Sequence, residues 1–132
     1  MVTIQLGKRE IPLAFSVLEL KEVMQTIGPL PEVEERLKEV FVKPEELDTL
    51  GNMIMILGNA GLEEAGENPD LTLKKVLRAM KPYQINSMIN SCLDALLEGM
   101  LTENGQREKE AAEDGPVDEG LEMLTKKNES GT

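Results

Sequence analysis

The feature that most constrains the fold of this chain is a stripe of apolar residues between positions 85 and 100. Its members are Ile85, Met88, Ile89, Cys92, Leu93, Leu96, Leu97 and Met100. Apolar residues that recur every three or four positions lie on one face of an α-helix. The spacing therefore predicts a helix whose stripe must be covered, and Lys81-Pro82 marks its start, because a residue that precedes proline is disfavoured in a helix.

The remaining core must also be aliphatic. Hydrophobic residues make up 40% of the chain, but aromatic residues make up only 2%. Leu, Ile, Val, Met and Ala must then fill the interior, which favours packed helices. A length of 132 residues suits one compact domain with an appendage.

The first residues predict a β-hairpin. Apolar residues alternate with polar ones on both sides of a turn at Gly7-Lys8, a pattern typical of strands. The alternating residues are Val2, Ile4 and Leu6 before the turn, and Ile11, Leu13 and Phe15 after it. Pro12 cannot donate a backbone hydrogen bond, so the second strand is expected at an edge.

Two helices are predicted after the hairpin. Ser16 and Glu19 have the spacing of a capping box, and the helix that they open should run from about residue 17 to residue 27, before Gly28-Pro29. Its apolar face is expected to contain Leu20, Val23, Met24 and Ile27. Pro31 should open a second, shorter helix that carries Val33, Leu37, Val40 and Phe41.

Pro44 is a first-turn proline and predicts the start of a third helix. Residues 53–57 of this helix are apolar on every side, so they must be either buried centrally or covered by a partner. We interpret residues 58–61 (Gly-Asn-Ala-Gly) as the glycine-rich end of the helix, followed by an acidic loop. Either Asp70 or Thr72 should cap a fourth helix that ends near Met80.

These patterns predict a mainly α (α+β) fold, in which an N-terminal β-hairpin packs on a bundle of about five helices. Residues 1–101 should form the hairpin-plus-helix domain. Residues 102–132 are rich in charged and small residues, which predicts a disordered, flexible acidic tail with a weak amphipathic helix near residues 117–124.

Charge and composition argue against several kinds of function. The formal net charge is −11, whereas nucleic acids and anionic membranes require a basic face. The chain has no His, and Cys92 lies on an apolar stripe, so we expect no catalytic residue and no cofactor. Residues 63–70 are acidic but lack the spacing of a calcium loop, and residues 58–61 lack the lysine of a phosphate-binding loop, so no metal is expected.

Three stretches resemble the tail assembly chaperones of long-tailed, siphophage-type phages and of prophages in Gram-positive bacteria. They are the strand pair that ends Ile11-Pro12-Leu13, residues 56–66 (ILGNAGLEEAG), and residues 68–72 (NPDLT) leading to Met80-Lys81-Pro82. The resemblance covers roughly residues 2–101. It implies a non-enzymatic protein of the host cytoplasm that binds the tape measure protein, promotes polymerisation of tail tube protein, and is absent from the mature virion.

We also keep two alternatives: a small structural phage protein, such as a head-to-tail completion component, and a small enzyme or metal protein that uses only Asp and Glu. For the chaperone we expect the apolar part of the third helix and the outer side of the last helix to bind partners. The edge strand and the apolar part of the third helix are also compatible with self-association. The residues that we expect at this partner surface are Met53, Met55, Ile56, Met88, Leu96 and Met100.

Overall fold

A computed structural model describes residues 1–101, which form one hairpin and five α-helices. The elements are β1 (Thr3–Leu6), β2 (Arg9–Pro12), α1 (Val17–Thr26), α2 (Leu30–Leu37), α3 (Glu45–Glu64), α4 (Leu73–Ala79) and α5 (Ile85–Met100). One 3₁₀ turn, Pro82–Gln84, precedes α5. The predicted α-rich fold with an N-terminal hairpin is confirmed, whereas the predicted disordered acidic tail and its helix near residues 117–124 lie outside the described residues.

The 20-residue helix α3 is the centre of the compact unit Met1–Gly99. It packs against α1, α2, α4 and β2. Leu50, Met53, Ile54 and Leu57 are fully buried along it. Of the two outcomes that the all-round apolar segment allowed, central burial within this chain is therefore the one observed.

The prediction that α3 ends at residues 58–61 is wrong, because the helix continues to Glu64. A Cβ atom on Gly61 would lie 1.9 Å from the carbonyl oxygen of Pro12, so the glycine lets α3 approach the end of β2. The glycine that leaves the helix in the left-handed region is Gly66, whose φ is +79°. A glycine signal that we interpreted as a helix cap is instead a site of close backbone packing.

The hairpin has the predicted two-residue turn, with Leu6 paired to Arg9 and Gly7 at a φ of 61°. Its apolar face is buried, and the backbone N–H of Ala14 donates a hydrogen bond of 3.1 Å to the carbonyl of Leu57 in α3. Within residues 1–101 the sheet has two strands, so Pro12 lies in an edge strand as predicted.

The helix starts follow the local rules more closely than the helix ends. The capping box of Ser16 and Glu19 is present, and Thr72, rather than Asp70, caps α4 by accepting a hydrogen bond from the backbone N–H of Lys75. Helix α2 ends at Leu37, before the predicted Val40 and Phe41. These last two residues lie in turns between α2 and α3.

Candidate interaction surface

The six residues predicted to bind partners do not form an exposed surface. Met53 and Ile56 in α3, and Met88 and Leu96 in α5, are buried. For these four the expectation of a surface role is corrected, because the apolar stripes that we assigned to partners pack inside this chain. Met55 is half-buried against the core, and Met100, the last residue of α5, is 40% exposed.

The exposed apolar residues of α1 form a more continuous surface. Val17 is 81% exposed, Leu18 is 57% exposed and Met24 is 51% exposed. Residues at i, i+4 and i+7 share a helix face, so Val17, Lys21 and Met24 lie together, with Leu18 and Gln25 beside them. We call these five residues the α1 outer face.

Met24 was predicted to lie on the buried side of α1, but it is exposed. Val23 fills the core at full burial, and each residue of a helix is rotated by about 100° from the one before it. Met24 is therefore turned away from the core. On a helical projection all four predicted residues lie within about 100° of one another. Only the structure shows that Val23, rather than Met24, faces the core.

A second exposed apolar pair, Phe41 and Val42, lies between α2 and α3. Phe41 is 67% exposed and Val42 is 77% exposed, whereas the adjacent Val40 is buried. Phe41 was expected within the second helix, but α2 ends before it, at Leu37. The run of three apolar residues at positions 40–42 could have indicated this exposure, because a turn can bury one residue of such a run and leave the other two in water.

The end of α1 is held in place by a partly buried ionic cluster. The Nε of Arg36 in α2 lies 2.9 Å from the carboxylate of Glu46 in α3, and its Nη1 donates a hydrogen bond of 2.8 Å to the carbonyl of Ile27. Thr49 donates a hydrogen bond of 2.7 Å to the same carboxylate oxygen. These contacts fix the orientation of α1 relative to α2 and α3.

The hydrogen bond from Thr49 is the main cause of a lowered pKa at Glu46, and it outweighs the opposing effect of burial. The hydrogen bond and positive charge of Arg36 lower that pKa further. The carboxylate is therefore charged at neutral pH and acts as an acceptor that joins helices rather than as a proton donor.

Cys92 and Asp70 are the side chains that we weighed as a nucleophile and as part of a metal site. Cys92 is buried, and desolvation raises the pKa of its thiol to about 12, which removes the thiolate that a nucleophile needs. Asp70 forms an ion pair of 3.2 Å with Arg9, and this partner lowers the pKa of Asp70. Within residues 1–101, no group of three or more His, Cys, Asp or Glu side chains is arranged to hold a metal ion.

None of the helices that the structure describes is long and apolar enough to cross a membrane. No protein-family model, curated protein or solved structure matches the chain. The exposed aliphatic side chains of α1 make the α1 outer face the best candidate for a functional surface among the described residues.

Proposed function

We propose that this protein is a tail assembly chaperone of a long-tailed phage or prophage. It binds the tape measure protein in the host cytoplasm, promotes the polymerisation of tail tube protein around it, and is left out of the mature virion. The proposal combines the resemblance of residues 2–101 to that class with a physical property of the α1 outer face. The observation that supports the proposal is the exposure of three large aliphatic side chains on the ten-residue helix α1.

An exposed helical face of this kind suits a chaperone of helical chains. A long amphipathic helix aggregates through its apolar stripe, and another helix can cover that stripe with its own aliphatic residues. Val17, Leu18 and Met24 offer such residues without opening the core, because Glu19 and Val23 are the buried residues of α1. The net charge of −11 would keep the resulting complex soluble.

The test is co-expression of the full chain with the tape measure protein, with the soluble fraction of the latter measured after centrifugation. The wild-type chain should keep the tape measure protein soluble, and the double variant V17D/L18D should not. Both substitutions lie in the first turn of α1, where carboxylates interact favourably with the helix dipole, so the variant should still fold. Circular dichroism and thermal unfolding of the isolated variant check that point.

The variant V42D is the matched control, because Val42 is about as exposed as Val17 but lies between α2 and α3. It should keep full activity in the same assay. The proposal would be wrong if the wild-type chain leaves the tape measure protein insoluble, or if mass spectrometry finds the chain in mature particles. The second result would favour a structural component of the virion, such as a head-to-tail completion protein.

A further inference from the structure

The positive charges of the described residues are unevenly placed, and α4 concentrates them. The helix has the sequence LKKVLRA and contains Lys74, Lys75 and Arg78 but no acidic residue. Lys81 follows it after one further residue. In a chain with a net charge of −11, this element is a local basic site.

An apolar groove runs along the same helix. Leu73, Lys74, Leu77 and Arg78 line this groove, which is shallow and largely open to solvent and has a volume of about 520 Å³. Leu73 and Leu77 are half-buried, so each packs partly on the protein and partly faces the groove. Leu73 and Leu77 can pack against α3 because residue 51 of that helix is glycine. A Cβ on Gly51 would lie 2.5 Å from Cδ1 of Leu73 and 3.0 Å from Cδ2 of Leu77.

The two cations that line the groove have no ion-pair partner among the residues that the structure describes. Both Lys74 and Arg78 are exposed. Lys75 differs, because its ammonium group donates a hydrogen bond of 3.1 Å to the carbonyl of Asp70. Lys74 and Arg78 can therefore pair with acidic groups from outside without giving up an ion pair within residues 1–101.

We propose that the α4 groove, defined by Leu73, Lys74, Leu77 and Arg78, is a docking site for an acidic amphipathic helix of a partner protein. The apolar residues of that helix would cover Leu73 and Leu77, and its Asp or Glu side chains would pair with Lys74 and Arg78. Nucleic acid fits the groove less well. Its floor is aliphatic, no aromatic side chain lines it for base stacking, and the protein as a whole is strongly acidic.

This site is separate from the α1 outer face and does not depend on the proposed chaperone function. Solubility of the tape measure protein tests the α1 outer face, whereas a binding measurement with a defined peptide tests the α4 groove. Each proposal can therefore fail without the other.

The experiment uses fluorescence anisotropy of a labelled synthetic peptide with the full chain. The probe is a helical peptide with one leucine stripe flanked by glutamates, and the comparison peptide has lysine at every glutamate position. The acidic peptide should bind, and its affinity should fall as salt is added, because the surface charges become screened. The basic peptide should bind at least about tenfold more weakly.

The variant K74E/R78E should weaken binding of the acidic peptide by about tenfold or more. Its matched control is K8E/K38E, which changes the net charge equally at two exposed lysines outside both the groove and the α1 outer face. Near-wild-type binding by the control supports the site. Equal losses in both variants, no binding of the acidic peptide, or tighter binding of a single-stranded oligonucleotide by the wild-type chain would overturn the proposal.

Discussion

Glu46 shows how much one buried side chain can organise in a small protein. Its Oε1 accepts hydrogen bonds from Arg36 and Thr49, and the guanidinium of Arg36 also reaches the carbonyl of Ile27. One carboxylate oxygen thereby connects α3 to α2 directly and to the end of α1 through Arg36. Because the carboxylate is buried, losing its charge leaves two donors with a weaker acceptor.

We predict that E46Q lowers the free energy of unfolding by about 1.5–3 kcal/mol at pH 7, the usual range for hydrogen bonds to a charged group. The lowered pKa of Glu46 gives the effect a pH dependence. The stabilisation is fully present above the pKa of the unfolded chain, near 4.5, and is lost as pH falls through the lower pKa of the folded protein. Urea denaturation at several pH values should show the difference between wild type and E46Q shrinking below about pH 4.

The adjacent Glu45 provides the control, since it is exposed on the first turn of the same helix. E45Q should change stability little at any pH. A loss in E46Q that persists unchanged at acid pH would show that the carboxylate charge is not the source of the stabilisation.

The sequence predicted only part of this cluster. The helix start predicted at Pro44 puts Glu46 in the first turn of α3, where a carboxylate interacts favourably with the helix dipole. The sequence did not indicate the pairing with Arg36, because contact between residues on two helices depends on the angle at which α2 and α3 cross. That angle is set by the packing of the whole core.

At the scale of elements, the contact between α3 and the hairpin explains where local rules failed. A glycine-rich segment near an acidic stretch looks the same in sequence whether it ends a helix or allows another backbone to approach. In this protein Gly61 allows the hairpin backbone to approach α3, because the carbonyl of Pro12 occupies the space that a side chain at Gly61 would need. Tertiary packing therefore overrides the helix-ending tendency of glycine.

We predict that G61A destabilises the protein by about 3 kcal/mol, because the new methyl group overlaps a backbone carbonyl that cannot rotate away. G58A is the matched comparison. Its nearest atom would be Cδ1 of Leu71 at 2.7 Å, the end of a flexible side chain, and the higher helix propensity of alanine offsets part of the cost. Chemical denaturation of both variants should therefore give a smaller loss for G58A, and equal stabilities would contradict the packing described here.

At the scale of the whole molecule, the fold was more predictable than its surface. The stripe of α5, the capping box and the hairpin turn follow from local patterns and were predicted correctly. The exposure of individual apolar side chains was not, because the amount of apolar sequence does not say which of them remain in water. Met53 became core and Val17 remained exposed, although both lie in helices with apolar faces.

We predict that a chain that ends at Leu101 folds with the same cooperativity as the full chain. The buried hydrophobic side chains of the described part lie between Ile4 and Leu96. The melting temperature should change by less than about 4 °C, the shift that a 1 kcal/mol loss produces in a domain of this size. Differential scanning calorimetry provides the measurement.

A chain that ends at Asp94 is the control for the truncation, because it also removes the buried Ala95 and Leu96. This shorter chain should unfold at a clearly lower temperature. A large decrease for the longer chain would mean that residues beyond Leu101 contribute to folding.

The long-range contacts of the hairpin affect the order in which the protein acquires structure during translation. Gln84 donates a hydrogen bond to Gln5 across 79 positions, and Arg9 reaches Asp70 across 61. A ribosome that adds about 5–20 residues per second needs roughly 4–16 s to cover the longer separation, whereas an isolated hairpin closes in about 1–10 μs but is marginally stable. The rate of synthesis, rather than the rate of strand pairing, therefore determines when β1 and β2 become stable.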